Sequence, residues 1–185
     1  MLRVLLAASV LTLAIAAPAR AAPELASIFE SITETAEAIE VEPPGPIDWF
    51  PVRGLVDFGE PDARYGAWRG GRRHEGQDVF AKAGTPLVAM RSGTVVETGD
   101  DGGRGNYIAL WSPQTRLTMV YLHMRSPTRL REGDEVGAGQ RVGAVGCTGS
   151  CWGDHLHLEM RTGRGTTGKP IDPLPELKLL AGRAR

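Results

Sequence analysis

The chain has 185 residues, a formal net charge of −1 and 24 glycines, and aromatic residues make up 6% of it. This length predicts one domain with appendages, and the small net charge gives no electrostatic reason to expect a nucleic-acid partner. Abundant glycine with few aromatic residues favours short strands joined by tight turns over a helical bundle.

The first 21 residues have the layout of a secretory signal peptide. A short positive start, Met1-Leu2-Arg3, precedes the uncharged apolar run 4–17, and Ala19-Arg20-Ala21 forms a small-residue cleavage site. The apolar run is shorter than the ~20 residues that a membrane helix needs. We therefore expect cleavage after Ala21, secretion to the cell envelope or the medium, and no membrane span in the mature protein. An uncleaved anchor is the alternative.

Residues 22–46 separate this segment from the body of the chain. Between Pro23 and Glu42 the sequence is acidic and has apolar residues at helix-like spacing, which allows either an amphipathic helix or a loosely ordered spacer. The proline-rich run 42–46 is typical of a stiff linker. The sequence thus predicts a domain over residues 47–175, followed by a C-terminal tail, 176–185.

The predicted domain consists of short β segments broken by turns. Two hairpins and two further strands are expected, in chain order: 85–90 with 94–98, 106–111 with 117–123, 140–145, and 154–161. Only 174–181 has a helical pattern near the end. The predicted fold class is therefore mostly β, an antiparallel sheet domain.

The last predicted strand carries two histidines on one face. Because side chains alternate along a strand, His155, His157 and Glu159 share one side. A single histidine there would be interpreted as a solvated surface residue. A pair on one face, in a chain with only four histidines, favours a site.

The remaining histidines lie in two other segments. His74 and Asp78 form an H-x3-D spacing, and His123 ends an apolar strand. Each segment is weak evidence alone, because such an aspartate is usually a turn residue and a strand-end histidine is usually structural. A catalytic zinc site uses three such ligands and leaves a fourth position for water. His74, Asp78 and either His155 or His157 would supply them, and spacing leaves that choice open.

These segments resemble the three signatures of the lysostaphin-type (LytM-like) zinc metallopeptidases, secreted enzymes that cut peptides of bacterial peptidoglycan. The signatures are His-x-Gly-x-Asp at 74–78, Tyr-x-His at 121–123 and His-x-His at 155–157. The resemblance covers about residues 49–173 and includes, in chain order, 84–86, 92–95, 105–106, 132–140 and 171–173. It implies an antiparallel β domain with a substrate groove that binds peptidoglycan peptides. We also expect a monomer.

The resemblance also assigns roles. It implies that His74, Asp78 and His157 bind Zn²⁺ and that His123 and His155 are the catalytic histidines. Zinc would activate water and polarise the scissile carbonyl, while the two histidines would serve as general base and acid.

Two further residues, Tyr65 and Asn106, are expected near the site. Some members place a tyrosine from the loop before the first ligand near the oxyanion, and Tyr65 is the only tyrosine in that stretch. Asn106 would shape the floor of the substrate groove, with a turn residue as the alternative interpretation.

Many relatives lack the two cysteines of this chain. Cys147 and Cys151 lie just before the His-x-His strand, and in an exported protein such a pair predicts a disulfide. So small a loop adds little global stability, so we expect the bridge to restrain the loop beside the ligands. Free thiols or accessory metal ligands are the alternatives.

Two other functions are compatible with parts of the sequence. A catalytically inactive family member would bind cell wall or activate a hydrolase, but such proteins lack ligands, and all five expected positions are filled here. A biotinyl or lipoyl carrier domain resembles segments 89–95 and 132–136. Carriers need a lysine at the hairpin tip, where Arg91 stands.

Overall fold

A computed structural model describes residues 48–183 of the chain. The predictions of a signal peptide and of a spacer or helix with its linker, residues 1–46, lie outside this range. The elements in chain order are a 3-10 helix, Pro61–Ala63, then β1 Gln77–Phe80, β2 Pro86–Val88, β3 Gly93–Asp101, β4 Gly105–Ser112, β5 Leu117–Met124, β6 Glu135–Val136, β7 Arg141–Ala144, β8 His155–Thr162, β9 Pro170–Ile171 and helix α1 Leu174–Arg183. Within residues 48–183, no helix has the length and apolar character that a membrane crossing requires.

The main sheet has the strand order β1-β8-β5-β4-β3-β6, with β9 added beside β8, and β2 and β7 form a small second sheet. Every strand pair is antiparallel. The predicted mostly β, antiparallel fold is therefore confirmed. Strands β4 and β5 also confirm the hairpin predicted around residues 112–116.

The other predicted hairpin, 85–90 with 94–98, is wrong. Strand β2 pairs with β7, and β3 pairs with β4 and β6. The backbone N–H of Val88 donates to Pro51 O and that of Ala89 to Gln140 O, so this segment takes its partners from distant parts of the chain. The apolar pattern marks a buried strand, but it does not encode which strand lies beside it.

One face of the main sheet packs on the hydrophobic core. Leu156, Leu158 and Met160 of β8 point into this core, together with Leu177 and Leu180 of α1. The helix therefore covers the core, although it extends past the predicted domain boundary at residue 175. The opposite face carries the alternate residues of the same strands and forms the floor of a cleft.

Strand β5 loses its alternation just where His123 lies. Asn106 pairs with Met124 and Ile108 with Tyr121, so β5 has one more residue than β4 in this interval, which is a β-bulge. His123 has a φ of 59°, a conformation that residues other than glycine seldom adopt. Tyr121 and Met124 both enter the core as a result, and His123 turns to the cleft.

Candidate active site

All four histidines of the chain line one cleft, whose volume is about 810 Å³. Asp78 lies among them, and all five side chains are largely buried. Two exposed tryptophans, Trp68 and Trp152, also line the cleft. The structure thus brings together five of the site residues expected from the sequence.

Three of these residues bring their ligand atoms to one point. His74 Nε2 lies 3.1 Å from Asp78 Oδ1 and 2.9 Å from His157 Nδ1, and His157 Nδ1 lies 2.8 Å from Asp78 Oδ1. Strand pairing produces this arrangement, because Asp78 of β1 stands directly opposite His157 of β8. Ligands at ~2.0–2.1 Å in a tetrahedron about zinc would be ~3.3 Å apart, so the cluster fits a zinc ion with little adjustment.

The outer contacts of the two histidines also fit a metal. His74 donates its Nδ1–H to Arg64 O at 2.8 Å, and His157 donates its Nε2–H to Glu159 Oε1 at 3.2 Å. These tautomers leave the lone pairs of His74 Nε2 and His157 Nδ1 pointing at each other. A metal ion between the two nitrogens would bind both lone pairs, and a proton on either ring would also remove their repulsion.

A chain of charged groups supports His157 from behind. Glu159 accepts from the Arg161 Nε–H at 2.6 Å, and Arg161 also pairs with Glu75. Burial raises the pKa of Glu159, but the hydrogen bonds from His157 and Arg161 outweigh it and lower that pKa to about 2. The carboxylate is therefore ionised and makes the ring of His157 a stronger ligand.

Arg69 contacts Asp78, and the sequence alone did not predict this contact. One of its terminal nitrogens donates to Asp78 Oδ2 at 2.6 Å and to Asp62 O at 2.8 Å. Asp78 is thereby oriented with Oδ1 toward the histidines. Burial raises the pKa of Asp78, but the hydrogen bonds that His157 and His74 donate to it when their rings are protonated hold that pKa well below its usual value. No sequence spacing marked Arg69, because its loop has no regular period.

His123 and His155 stand beside this cluster with a different set of partners. His123 donates its Nδ1–H to Thr148 O, and His155 donates its Nδ1–H to Gly153 O, each at 2.8 Å. Within residues 48–183, Nε2 of each ring has no hydrogen-bond partner, and the ring centroids are 5.0 Å apart. Burial lowers the pKa of His123 to about 4 and lowers that of His155 as well. Both rings are therefore neutral at pH 7, with a lone pair on Nε2.

Tyr65 and Asn106, the two other expected site residues, do not line the cleft. The Tyr65 hydroxyl donates to Pro170 O at 3.0 Å. Asn106 is buried, and its Nδ2 donates to Met124 O at 3.2 Å, which joins the start of β4 to the end of β5.

Cys147 and Cys151 are joined in a disulfide, as predicted. Neither is therefore a free thiol or a metal ligand. Cys151 and the following Trp152 form part of the cleft wall, so the bridge lies next to the site.

The family model for "Peptidase family M23" matches residues 72–173, more than half of the chain. Among curated proteins, glycyl-glycine endopeptidase ALE-1 of Staphylococcus capitis is 37% identical over 109 residues, covering 58% of this chain and 30% of its own length. Peptidoglycan DD-endopeptidase ShyC of Vibrio cholerae is 32% identical over 114 residues, covering 62% of this chain and 26% of its own. The chain thus spans less than a third of the length of these relatives.

Solved structures agree with this match. The catalytic domain of lysostaphin from Staphylococcus simulans superposes with a TM-score of 0.57 at 35% identity, covering 62% of this chain and 89% of that domain. The resemblance to the lysostaphin-type peptidases is therefore confirmed. By its matched residues and its fold, the chain belongs to peptidase family M23.

Proposed function

We propose that this protein is a zinc metalloendopeptidase that hydrolyses peptide bonds in bacterial peptidoglycan. The observation that carries the proposal is the convergence of His74, Asp78 and His157 beside two further histidines in one cleft. Relatives named as glycyl-glycine and peptidoglycan DD-endopeptidases support the substrate class.

The ligand set would be His74 Nε2, Asp78 Oδ1 and His157 Nδ1. When bound, zinc supplies Lewis-acid chemistry, polarising a carbonyl and lowering the pKa of water. The carboxylate of Glu159 and the guanidinium of Arg69 orient the ligands from behind. Three protein ligands would leave a fourth position for water, and all three line the cleft.

His123 and His155 would carry the proton. Each ring is neutral with its lone pair on Nε2, so one of the two would accept a single proton there from the attacking water as a general base. The resulting imidazolium then donates the same proton to the leaving amine nitrogen when the C–N bond breaks. The charged ring also stabilises the oxyanion that develops on the carbonyl. His155 Nε2 lies 3.6 Å from Asp78 Oδ1, and this short distance supports a proton transfer beside the proposed ligands.

We propose export of this enzyme to the cell envelope or the medium, as a monomer. The signal-peptide layout of residues 1–21 supports export. The Cys147–Cys151 disulfide is consistent with an oxidising compartment.

The test is digestion of purified peptidoglycan. Sacculi of several cross-link types are incubated with the zinc-loaded protein, and the released fragments are identified by mass spectrometry, with the His155→Ala variant as a control. We expect peptide-bond cleavage that a chelator abolishes. Bound zinc with no fragment from any cross-link type would instead identify a catalytically inactive, wall-binding or hydrolase-activating member of the family.

A further inference from the structure

We propose that the disulfide loop, residues 147–153, positions the two free histidines, and that Thr148 is the residue through which it acts on His123. The proposal builds on the proposed function, which assigns chemistry to those rings. Thr148 would be a positioning residue, because the structure places its carbonyl on His123 and its hydroxyl on the neighbouring strands.

Two backbone carbonyls of this loop hold both rings. Thr148 O accepts from His123 Nδ1 and Gly153 O accepts from His155 Nδ1, each at 2.8 Å. A hydrogen bond to a carbonyl requires the Nδ1–H tautomer, which leaves the lone pair on Nε2. One loop therefore selects the tautomer and orientation of two rings that come from different strands.

The hydroxyl of Thr148 fixes the loop to the bulge in β5. It donates to Met124 O at 2.8 Å and accepts from the Asn106 backbone N–H at 2.9 Å. Met124 follows His123 in the chain, and Asn106 is its strand partner. These contacts of the hydroxyl thus fix the position of the Thr148 carbonyl relative to His123, the residue that the carbonyl orients.

Close packing at two glycines, Gly105 and Gly149, lets the loop lie against the start of β4. A Cβ on Gly105 would lie 2.4 Å from Thr148 O, and one on Gly149 would lie 2.3 Å from Gly105 N. Both glycines also have a positive φ, 61° and 71°. The Thr148 carbonyl therefore depends on a backbone contact that a larger residue would push apart.

The disulfide holds the second carbonyl. Cys147 Sγ accepts from the Gly153 N–H at 3.2 Å, and Gly153 O accepts from His155. The bridge closes residues 147–151 into a ring, so Cys147 cannot move independently of Cys151. Thr148 and the bridge thus act on His123 and His155 respectively.

The experiment compares Thr148→Val, which keeps the shape and removes the hydroxyl, with Thr148→Ser, which keeps it. Thr118→Val is the matched control, because the Thr118 hydroxyl also donates to a carbonyl, Gly163 O at 2.7 Å, and accepts a backbone N–H, from Gly165 at 3.0 Å. The readouts on zinc-loaded protein are metal content, melting temperature, kcat and KM, and ¹⁵N NMR of the histidine rings, which distinguishes the two tautomers.

We expect Thr148→Val to keep its zinc and to show a mixture of tautomers at His123. Its kcat should fall by about 10–100-fold, because misplacement by ~1 Å costs rate rather than binding, and its KM should stay unchanged. Thr148→Ser should restore both readouts, and Thr118→Val should lose melting temperature without changing the tautomer. A wild-type tautomer together with wild-type kcat in Thr148→Val would overturn the proposal.

Two measurements keep the test decisive. If Thr148→Val does not fold, the wild-type spectrum alone suffices, since an Nε2–H tautomer at His123 contradicts the proposed hydrogen bond. If the protein cleaves no peptidoglycan, the proposed function fails, but the tautomer of His123 in wild type and Thr148→Val still tests the positioning role.

Discussion

The proposed ligand cluster (His74, Asp78 and His157) and the free histidine pair (His123 and His155) share one cleft, but His157 of the cluster and His123 of the pair are held in opposite ways. His157 is held by carboxylates, and hydrogen bonds with Asp78 and Glu159 raise its pKa despite burial. His123 is held by a neutral carbonyl, and burial lowers its pKa to about 4. Charged partners strengthen a nitrogen as a metal ligand, whereas a neutral partner keeps a ring uncharged until it takes a proton.

The histidines also reach the cleft by different routes, and this difference does not follow the division into ligands and free rings. His155 and His157 lie on the regular strand β8, where simple alternation turns both to the same face. His123 reaches that face only through a bulge and a left-handed φ. Such a conformation persists when its surroundings hold it in place, and it is common at functional sites.

Removing a ligand should have the largest effect. Asp78→Ala takes a carboxylate from a three-ligand site, and we expect the loss of high-affinity zinc and of all measurable turnover. Elemental analysis of the purified variant is the measurement. A full complement of zinc in that variant would remove Asp78 from the ligand set.

Removing His123 or His155 should distinguish these two residues from the proposed zinc ligands. We expect His123→Ala and His155→Ala to retain zinc and to lose at least about a hundredfold in turnover, the usual worth of general acid–base help. Zinc content and turnover are measured on the same preparations. A folded variant that is metal-free would show that the two groups are divided wrongly, most simply by an exchange of His155 with His157.

Weakening the hydrogen bond between His157 and Glu159 should have a smaller effect. We expect it to lower zinc affinity. Glu159→Gln removes the charge that accepts the Nε2–H, and loss of such an outer partner reduces metal affinity about 10–100-fold. Chelator competition gives the affinity. Glu97→Gln is the matched control, since the Glu97 carboxylate contacts Arg104 and Tyr107 rather than a ligand. Equal zinc affinity in both variants would contradict the support role.

The smallest expected effect concerns the bridge beside the free pair. Replacing Cys147 and Cys151 by Ser should lower turnover more than melting temperature, because a five-residue ring removes little unfolded-state entropy, while loop displacement affects the rate. Both quantities are compared after mass spectrometry has verified the bridge in the parent protein. Unchanged turnover with a large fall in melting temperature would make the bridge a structural element only.

The sequence by itself determined the antiparallel β class, the shared face of His155 and His157, and the disulfide. Each of these depends on local pattern, since alternation on a strand and two nearby cysteines need no distant partner. The signatures around His74, Asp78 and His123 likewise identified the family before any contact was known.

Only the tertiary structure decided how the remaining parts meet. Alternation along β5 would turn His123 toward the core with Tyr121, and the bulge opposite the interval between Asn106 and Ile108 reverses it. Strand β2 pairs with β7 rather than with its neighbour β3, and Arg69 reaches Asp78 from an irregular loop. These outcomes depend on contacts between segments far apart in the chain. The local hydrophobic pattern does not encode which distant segment pairs with a given strand or which distant side chain forms an ion pair with a given charge.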